Sequence, residues 1–197
     1  MDAVPVVDLS TGGAAVAIDA ACRDRGFFLV RGHGVDPQLI ADLDDAARRF
    51  VALPDDEKAA IAMEHGGSAW RGWFPLGGEL TSGVPDHKEG VYFGAELPAG
   101  DPRPMHGANL FPERPAELGP LVLRYLDELT ALGHRIVGLI DEGFGAGGRI
   151  ADLVLDPLVL FRIFAYPPGP PGWSVGEHTD YGLLTILHQD GSGGLQV

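Results

Sequence analysis

Gly176-Glu177-His178-Thr179-Asp180-Tyr181-Gly182-Leu183-Leu184-Thr185-Ile186-Leu187 is the stretch on which the reading of this chain turns. Residues two apart in extended backbone share a face, so the His178 imidazole and the Asp180 carboxylate are aimed at one place. They supply two of the three ligands of a 2-His-1-carboxylate facial triad, a set that leaves open positions on Fe(II). The apolar run Leu183 to Leu187 reads as a buried strand, and the segment from Pro167 to Gly172, rich in proline and glycine, reads as the loop before the pair. A ligand pair between such a loop and a buried strand lies where a scaffold can hold it at a cavity mouth. With seven histidines and 28 acidic residues in the chain, an isolated His-x-Asp also arises by chance as a surface hydrogen bond; the placement favours the metal.

Upstream of this loop, Leu158 to Tyr166 reads as a strand, and Val122, Tyr125, Leu129, Leu132, Ile136 and Ile140 recur at helical spacing, giving a long support helix that ends near Gly143 and packs on a sheet. Nearer the N-terminus, Val4 to Leu9 is a short strand. Ala14, Ala17, Ile18, Ala21 and Cys22 form a helical stripe that Gly26 can terminate. Phe27-Phe28-Leu29-Val30 reads as a buried strand. Asp36-Pro37 opens a second helix with Ile40, Leu43, Ala47 and Phe50 on its apolar face, and Pro54 with Asp55, Asp56 and Glu57 opens another turn. Residues 66–115 read mostly as loop, with a strand-like piece at Gly90 to Gly94. Helices first and strands later indicate α+β.

Lys and Arg number 14 against 28 Asp and Glu, a formal charge of −14. That balance disfavours nucleic acid and anionic membrane faces and favours a small-molecule substrate. Cys22 is the sole cysteine, so no internal disulfide is expected. No signal-like N-terminus and no apolar run near ~20 residues is present, which makes cytoplasmic the reading by elimination. Gly191-Ser192-Gly193-Gly194 is a turn, and the strand Leu195-Gln196-Val197 has barely begun when the chain stops. The expectation is a chain cut short, or else a short sheet closed by a second copy.

Several further pieces occur in a fixed order: Gly26-Phe27-Phe28-Leu29-Val30-Arg31-Gly32-His33-Gly34-Val35, Leu53-Pro54-Asp55-Asp56-Glu57-Lys58, Arg71-Gly72-Trp73, Lys88-Glu89-Gly90-Val91-Tyr92-Phe93-Gly94, Asn109-Leu110-Phe111-Pro112, Tyr166-Pro167-Pro168, His178-Thr179-Asp180 and Gly193-Gly194-Leu195-Gln196-Val197. With them, nearly the whole chain resembles the isopenicillin N synthase and 2-oxoglutarate-dependent dioxygenase superfamily of non-haem iron oxygenases. The resemblance implies an α+β fold with a distorted double-stranded β-helix, or jelly-roll, core and flanking helices. Residues 1–115 would be the family's N-terminal region, and 116–197 the support helix and first strands of the core, incomplete here.

The same resemblance implies Fe(II), 2-oxoglutarate as cosubstrate, and dioxygen, with hydroxylation, desaturation or ring closure of a small molecule. His178 and Asp180 match the first two iron ligands. The family's second histidine and the arginine of its Arg-x-Ser motif lie beyond the residues given, and His188 is too close to serve as third ligand. Tyr166 matches a cosubstrate-contacting tyrosine, or is a strand-end aromatic bonded through its hydroxyl. Phe164 stands where many plant relatives have asparagine, so the cosubstrate pocket differs. Trp70, Arg71, Trp73 and Phe74 read either as a lid whose Arg71 and Trp73 meet substrate, or as a loop anchored by buried tryptophans. His33 reads as part of a structural turn, and Lys88 and Glu89 as a surface pair. Two alternatives stay open: an isopenicillin N synthase-type oxidase that does not use 2-oxoglutarate, and an incomplete homologue acting only by binding.

Overall fold

In a computed structural model, residues 3–169 and 171–197 are described; Pro170, within the expected loop, lies outside them. The elements in chain order are β1 (Val6–Asp8), α1 (Ala14–Asp24), β2 (Leu29–Arg31), α2 (Pro37–Val51), α3 (Asp55–Lys58), β3 (Gly72–Phe74), β4 (Leu80–Thr81), β5 (Val84–Pro85), β6 (Glu89–Gly94), α4 (Leu118–Phe144) and β7 (Leu160–Ala165). The architecture is α+β. Among the described residues no helix is long and apolar enough to cross a membrane.

The chain forms two compact units. One contains the residues up to Asp36, with Glu128–Pro157 and Leu183–Val197. In it β1 and β2 pair in parallel, Val7 opposite Val30, and α1 supplies the crossover that parallel strands require. Ala14, Ala15, Ile18 and Ala21 are the buried stripe of α1. Gly26, at φ +73°, stops the helix as expected, and its N–H and that of Arg25 both bond the Ala21 carbonyl at 3.0 Å. The β2 strand is not buried as expected. Leu29 and its partner Val6 are both 57% exposed, because a two-stranded ribbon leaves alternate residues uncovered. Helix α4 runs through Gly143, where a Cβ would come within 2.5 Å of the Ala15 carbonyl oxygen; this glycine permits the close approach to α1, and Gly145 at φ +64° follows the helix end.

Near the end of α4, buried Asp141 accepts backbone N–H groups from Gly148 at 2.6 Å and Ile150 at 2.7 Å. These bonds, led by that from Gly148, hold its carboxyl below the ordinary carboxylate range. A depressed folded-state value contributes stability that is present above the unfolded value, about 3.9, and is lost as pH falls through the lower folded one. Asp141→Asn is therefore expected to lower stability at pH 7 and to flatten the acid limb below about pH 4, as read by urea unfolding at a series of pH values. An unchanged acid limb would contradict this account.

The other unit contains Pro37–Asp127 and Leu158–Gly182. Helix α2 begins at Pro37 as the Asp36-Pro37 pair indicates, and buries Leu39, Leu43, Ala46, Ala47 and Phe50. Within the supposed loop region the chain builds more than the piece at Gly90 to Gly94. β3 and the hairpin β4–β5 form there as well, the hairpin turning on Ser82 and Gly83, both at positive φ as type I′ turns demand. β6 is central in an antiparallel sheet ordered β3-β6-β7, with Tyr92 opposite both Gly72 and Arg162. One face of it is core: Phe93 is fully buried and stacks on Phe111 at 5.5 Å and Phe161 at 6.3 Å, and Tyr125 of α4 meets Phe161 at 5.4 Å. The long helix thus supports the sheet through its first turns.

Beyond β7 the expected strands are not formed. The segment carrying His178 and Asp180, the run Leu183 to Leu187, and Leu195 to Val197 are all irregular, and Leu187 is 62% exposed. Apolar sequence alone does not make a strand; without a ladder partner its backbone groups stay with solvent.

Candidate functional site

His178 and Asp180 stand side by side, Nε2 and Oδ1 3.4 Å apart, both about half exposed. The imidazole Nδ1 lies 2.8 Å from the Gly176 carbonyl oxygen. With its proton there, donating to Gly176, Nε2 is left as a lone pair beside the carboxylate, which is how protein histidines are oriented toward metals. Upstream, the His87 N–H donates to the Ser174 carbonyl at 2.7 Å and ties this segment to the strands. A cavity of about 310 Å³, lined by Thr81, Asp86, Trp173, Ser174, Gly176 and Glu177 among others, reaches to the residue before His178. The donor set therefore fits a divalent ion in chemistry. Among the described residues no third His, Cys, Asp or Glu joins the pair. His188 is exposed and in the other unit.

Tyr166 continues the face of β7 that carries Arg162 and Phe164, its ring edge-on to Phe164 at 6.4 Å. Burial pushes its phenol above the ordinary value, even though about half of the residue surface is open.

Arg71 and Trp73, expected at the substrate, are instead enclosed. Arg71 is 1% exposed, and its guanidinium donates to the carbonyls of Ala69 at 2.7 Å and Met105 at 3.0 Å, leaving Nε without a partner among the described residues. Burial lowers its pKa, against the pull of Glu96. A Cβ on Gly94 would lie 2.1 Å from Arg71 Nη2, so the strand passes directly over it. Trp73 is buried with Nε1 donating to Glu89 at 2.9 Å. The arginine braces loop carbonyls, and the tryptophan anchors the loop; Trp70, in contrast, is half exposed.

The reading of Lys88 and Glu89 as a surface pair is also corrected. Adjacent strand residues face opposite sides. Glu89 takes Lys58 at 2.6 Å on one side, while Lys88, 6% exposed, binds Asp86 at 2.7 Å and Glu79 at 3.1 Å on the other. Burial opposes the Lys88 charge but its two carboxylates prevail, and its pKa is raised. Tyr92 donates to Glu79, and burial together with that carboxylate pushes its phenol up to about 12. Sequence reasoning thus passed over Glu79, Asp86 and Tyr92 and took buried Lys88 for a surface residue. The signal was alternation: Lys88 is two residues from Asp86 and four from Tyr92. His33 does hold a turn, its Nδ1 accepting from the Val35 N–H at 3.1 Å. Cys22 is half-buried, and burial pushes its thiol up, away from nucleophilic use.

Comparison with known proteins bears on what such a site is for. A family model described as the N-terminal region of non-haem dioxygenase in morphine synthesis matches residues 4–114. A Dictyostelium discoideum protein described as a probable iron/ascorbate oxidoreductase is 37% identical, covering 100% of this chain and 66% of that protein. A 2-oxoglutarate-dependent dioxygenase of Aspergillus niger is 34% identical over 98% of this chain and 63% of its own length. The crystal structure of a full-length Neurospora crassa protein in complex with α-ketoglutarate superposes with a TM-score of 0.74 at 24% identity, covering 91% of this chain and 61% of that one, a likeness of fold. The chain thus spans about two thirds of the length of the relatives it matches. The fold is that of oxygenases with a jelly-roll core, of which this chain spans part.

Proposed function

Since the chain belongs to the non-haem dioxygenase family, whose model covers more than half of it, we propose that the protein is an Fe(II)- and 2-oxoglutarate-dependent oxygenase acting on a small molecule. The observation that carries this is the convergence of His178 Nε2 and Asp180 Oδ1, 3.4 Å apart beside the cavity. These two atoms would hold the iron. Bound iron and 2-oxoglutarate would supply the activation of dioxygen, chemistry that belongs to the cofactor. The contact of His178 Nδ1 with the Gly176 carbonyl, 2.8 Å, would hold the ring in place; Asp180 would lend charge, and neither is an acid or base in the reaction. A neutral imidazole and one carboxylate leave a divalent ion partly unneutralised, which favours an anionic cosubstrate. Tyr166, its ring edge-on to Phe164, is read as a cosubstrate contact. Residues 1–115 are read as the family's N-terminal region, supported by the match over 4–114, and 116–197 as the start of the oxygenase core. The acidic balance and lone cysteine support a cytoplasmic enzyme with no nucleic-acid or membrane partner.

The test is an anaerobic Fe(II) titration, with and without 2-oxoglutarate, of this chain and of a form extended to its relatives' length. A metal-to-ligand charge-transfer band is expected in the extended form. Iron binding without the band would assign the protein to the oxidases that do not use 2-oxoglutarate, and no binding would overturn the metal site.

A further inference from the structure

His87 stands between the β4–β5 hairpin and β6, and its neighbours Asp86 and Lys88 are buried and paired with each other at 2.7 Å. The backbone at His87 is therefore anchored, and contacts run from it to the segment that leads to His178. The backbone N–H donates to the Ser174 carbonyl at 2.7 Å. The half-buried ring reaches further back, its Nε2 3.4 Å from the Pro168 carbonyl oxygen. A carbonyl only accepts, so this bond takes a proton on Nε2, which the charged ring and one neutral tautomer both carry. The ring also lies directly on Gly169, where a Cβ would come within 2.2 Å of Nε2. Ser174 lines the cavity of about 310 Å³ and stands two residues before Gly176, whose carbonyl meets His178 Nδ1 at 2.8 Å. Contacts from one residue thus lead, by way of Ser174 and Gly176, to the imidazole of the ligand pair.

We propose that His87 is a positioning residue of the candidate metal site: its ring, seated on Pro168 and Gly169, fixes the segment whose Gly176 carbonyl orients the His178 imidazole. The inference rests on the oxygenase reading above for the metal itself. The residues that lead to His178 are irregular, and a segment without a strand ladder keeps its place through contacts with packed neighbours. The backbone bond to Ser174 is one point of attachment and leaves the segment free to pivot there; the ring adds a second, and two points fix a direction. A ligand pair already held 3.4 Å apart loses less freedom when an ion arrives. Gly169 is not at positive φ, so its missing side chain answers to the His87 ring and not to a backbone conformation that only glycine favours.

The test compares the unmodified protein with His87→Ala, His87→Gln and Gly169→Ala. In the metal-free chain, NMR hydrogen exchange reads the amide of residue 87, which every variant retains; exchange about tenfold faster is expected in His87→Ala, reporting release of the Ser174 carbonyl. In the form extended to its relatives' length, His87→Ala is expected to lower Fe(II) affinity about tenfold, the cost of losing a partner outside the ligand set. His87→Gln places an amide nitrogen near the position of Nε2 and should keep most of the affinity and of the protection. Gly169→Ala should copy His87→Ala, and the double variant should be no worse than either single one, since both remove the same contact. Urea midpoints should stay unchanged throughout. Undiminished iron affinity in His87→Ala, unchanged exchange at residue 87, additive losses in the double variant, or a fall in midpoint that parallels the loss of iron would overturn the proposal. Failure of the oxygenase reading is seen separately, as an unmodified extended protein that binds no Fe(II).

Discussion

Asp180→Ala is expected to lower Fe(II) affinity by more than about 100-fold in the form extended to its relatives' length, and to abolish 2-oxoglutarate-dependent turnover with it. Loss of a partner outside the ligand set alone costs about 10- to 100-fold, and removal of a ligand costs more. Asp180 contributes half the protein donors visible in this chain and all of their negative charge. Its side chain is 46% exposed in an irregular segment, so folding should be unaffected, and a urea midpoint equal to that of the unmodified protein separates loss of metal from loss of structure. His178→Ala should behave alike. Equilibrium dialysis showing undiminished iron affinity in either variant would remove the pair from the metal site.

The second large effect is on stability. Lys88→Met should destabilise the protein by about 3–5 kcal/mol, because it leaves buried Asp86 and partly buried Glu79 without their shared cation. Methionine fills the stem's volume, so the loss reports the charge rather than a cavity. Arg31→Met is the matched control: Arg31 is 71% exposed and its pair with Asp8 at 2.9 Å is open to solvent, which limits the expected change to about 1 kcal/mol or less. Urea unfolding would read both, as a fall in midpoint at constant slope. A Lys88 variant as stable as the Arg31 variant would mean that the buried cluster contributes little.

The contrast between Lys88 and Arg31 also marks what was legible in the residues. Alternation along β6 already puts Lys88 and Glu89 on opposite faces, yet whether either face is covered depends on partners far along the chain: Lys58 is 31 residues from Glu89, and Glu79 reaches Lys88 across the β4–β5 hairpin. Arg71 poses the same problem. Its environment is made by the Met105 carbonyl, 34 residues away, and by the passage of Gly94, and no local pattern announces either.

Elements with local causes could be read from the residues alone. The apolar periods of α2 and α4, the stop at Gly26 and the start at Pro37 follow from backbone geometry over a few residues, and His178 and Asp180, only two residues apart, are neighbours even in an irregular segment. Which polar residues are buried, and that Arg71 and Trp73 face inward, came only from packing between distant segments. The tertiary structure also left Leu183 to Leu187 irregular. Burial and strand pairing are properties of what lies opposite a residue, and that is set by distant segments, which spacing along the chain does not encode.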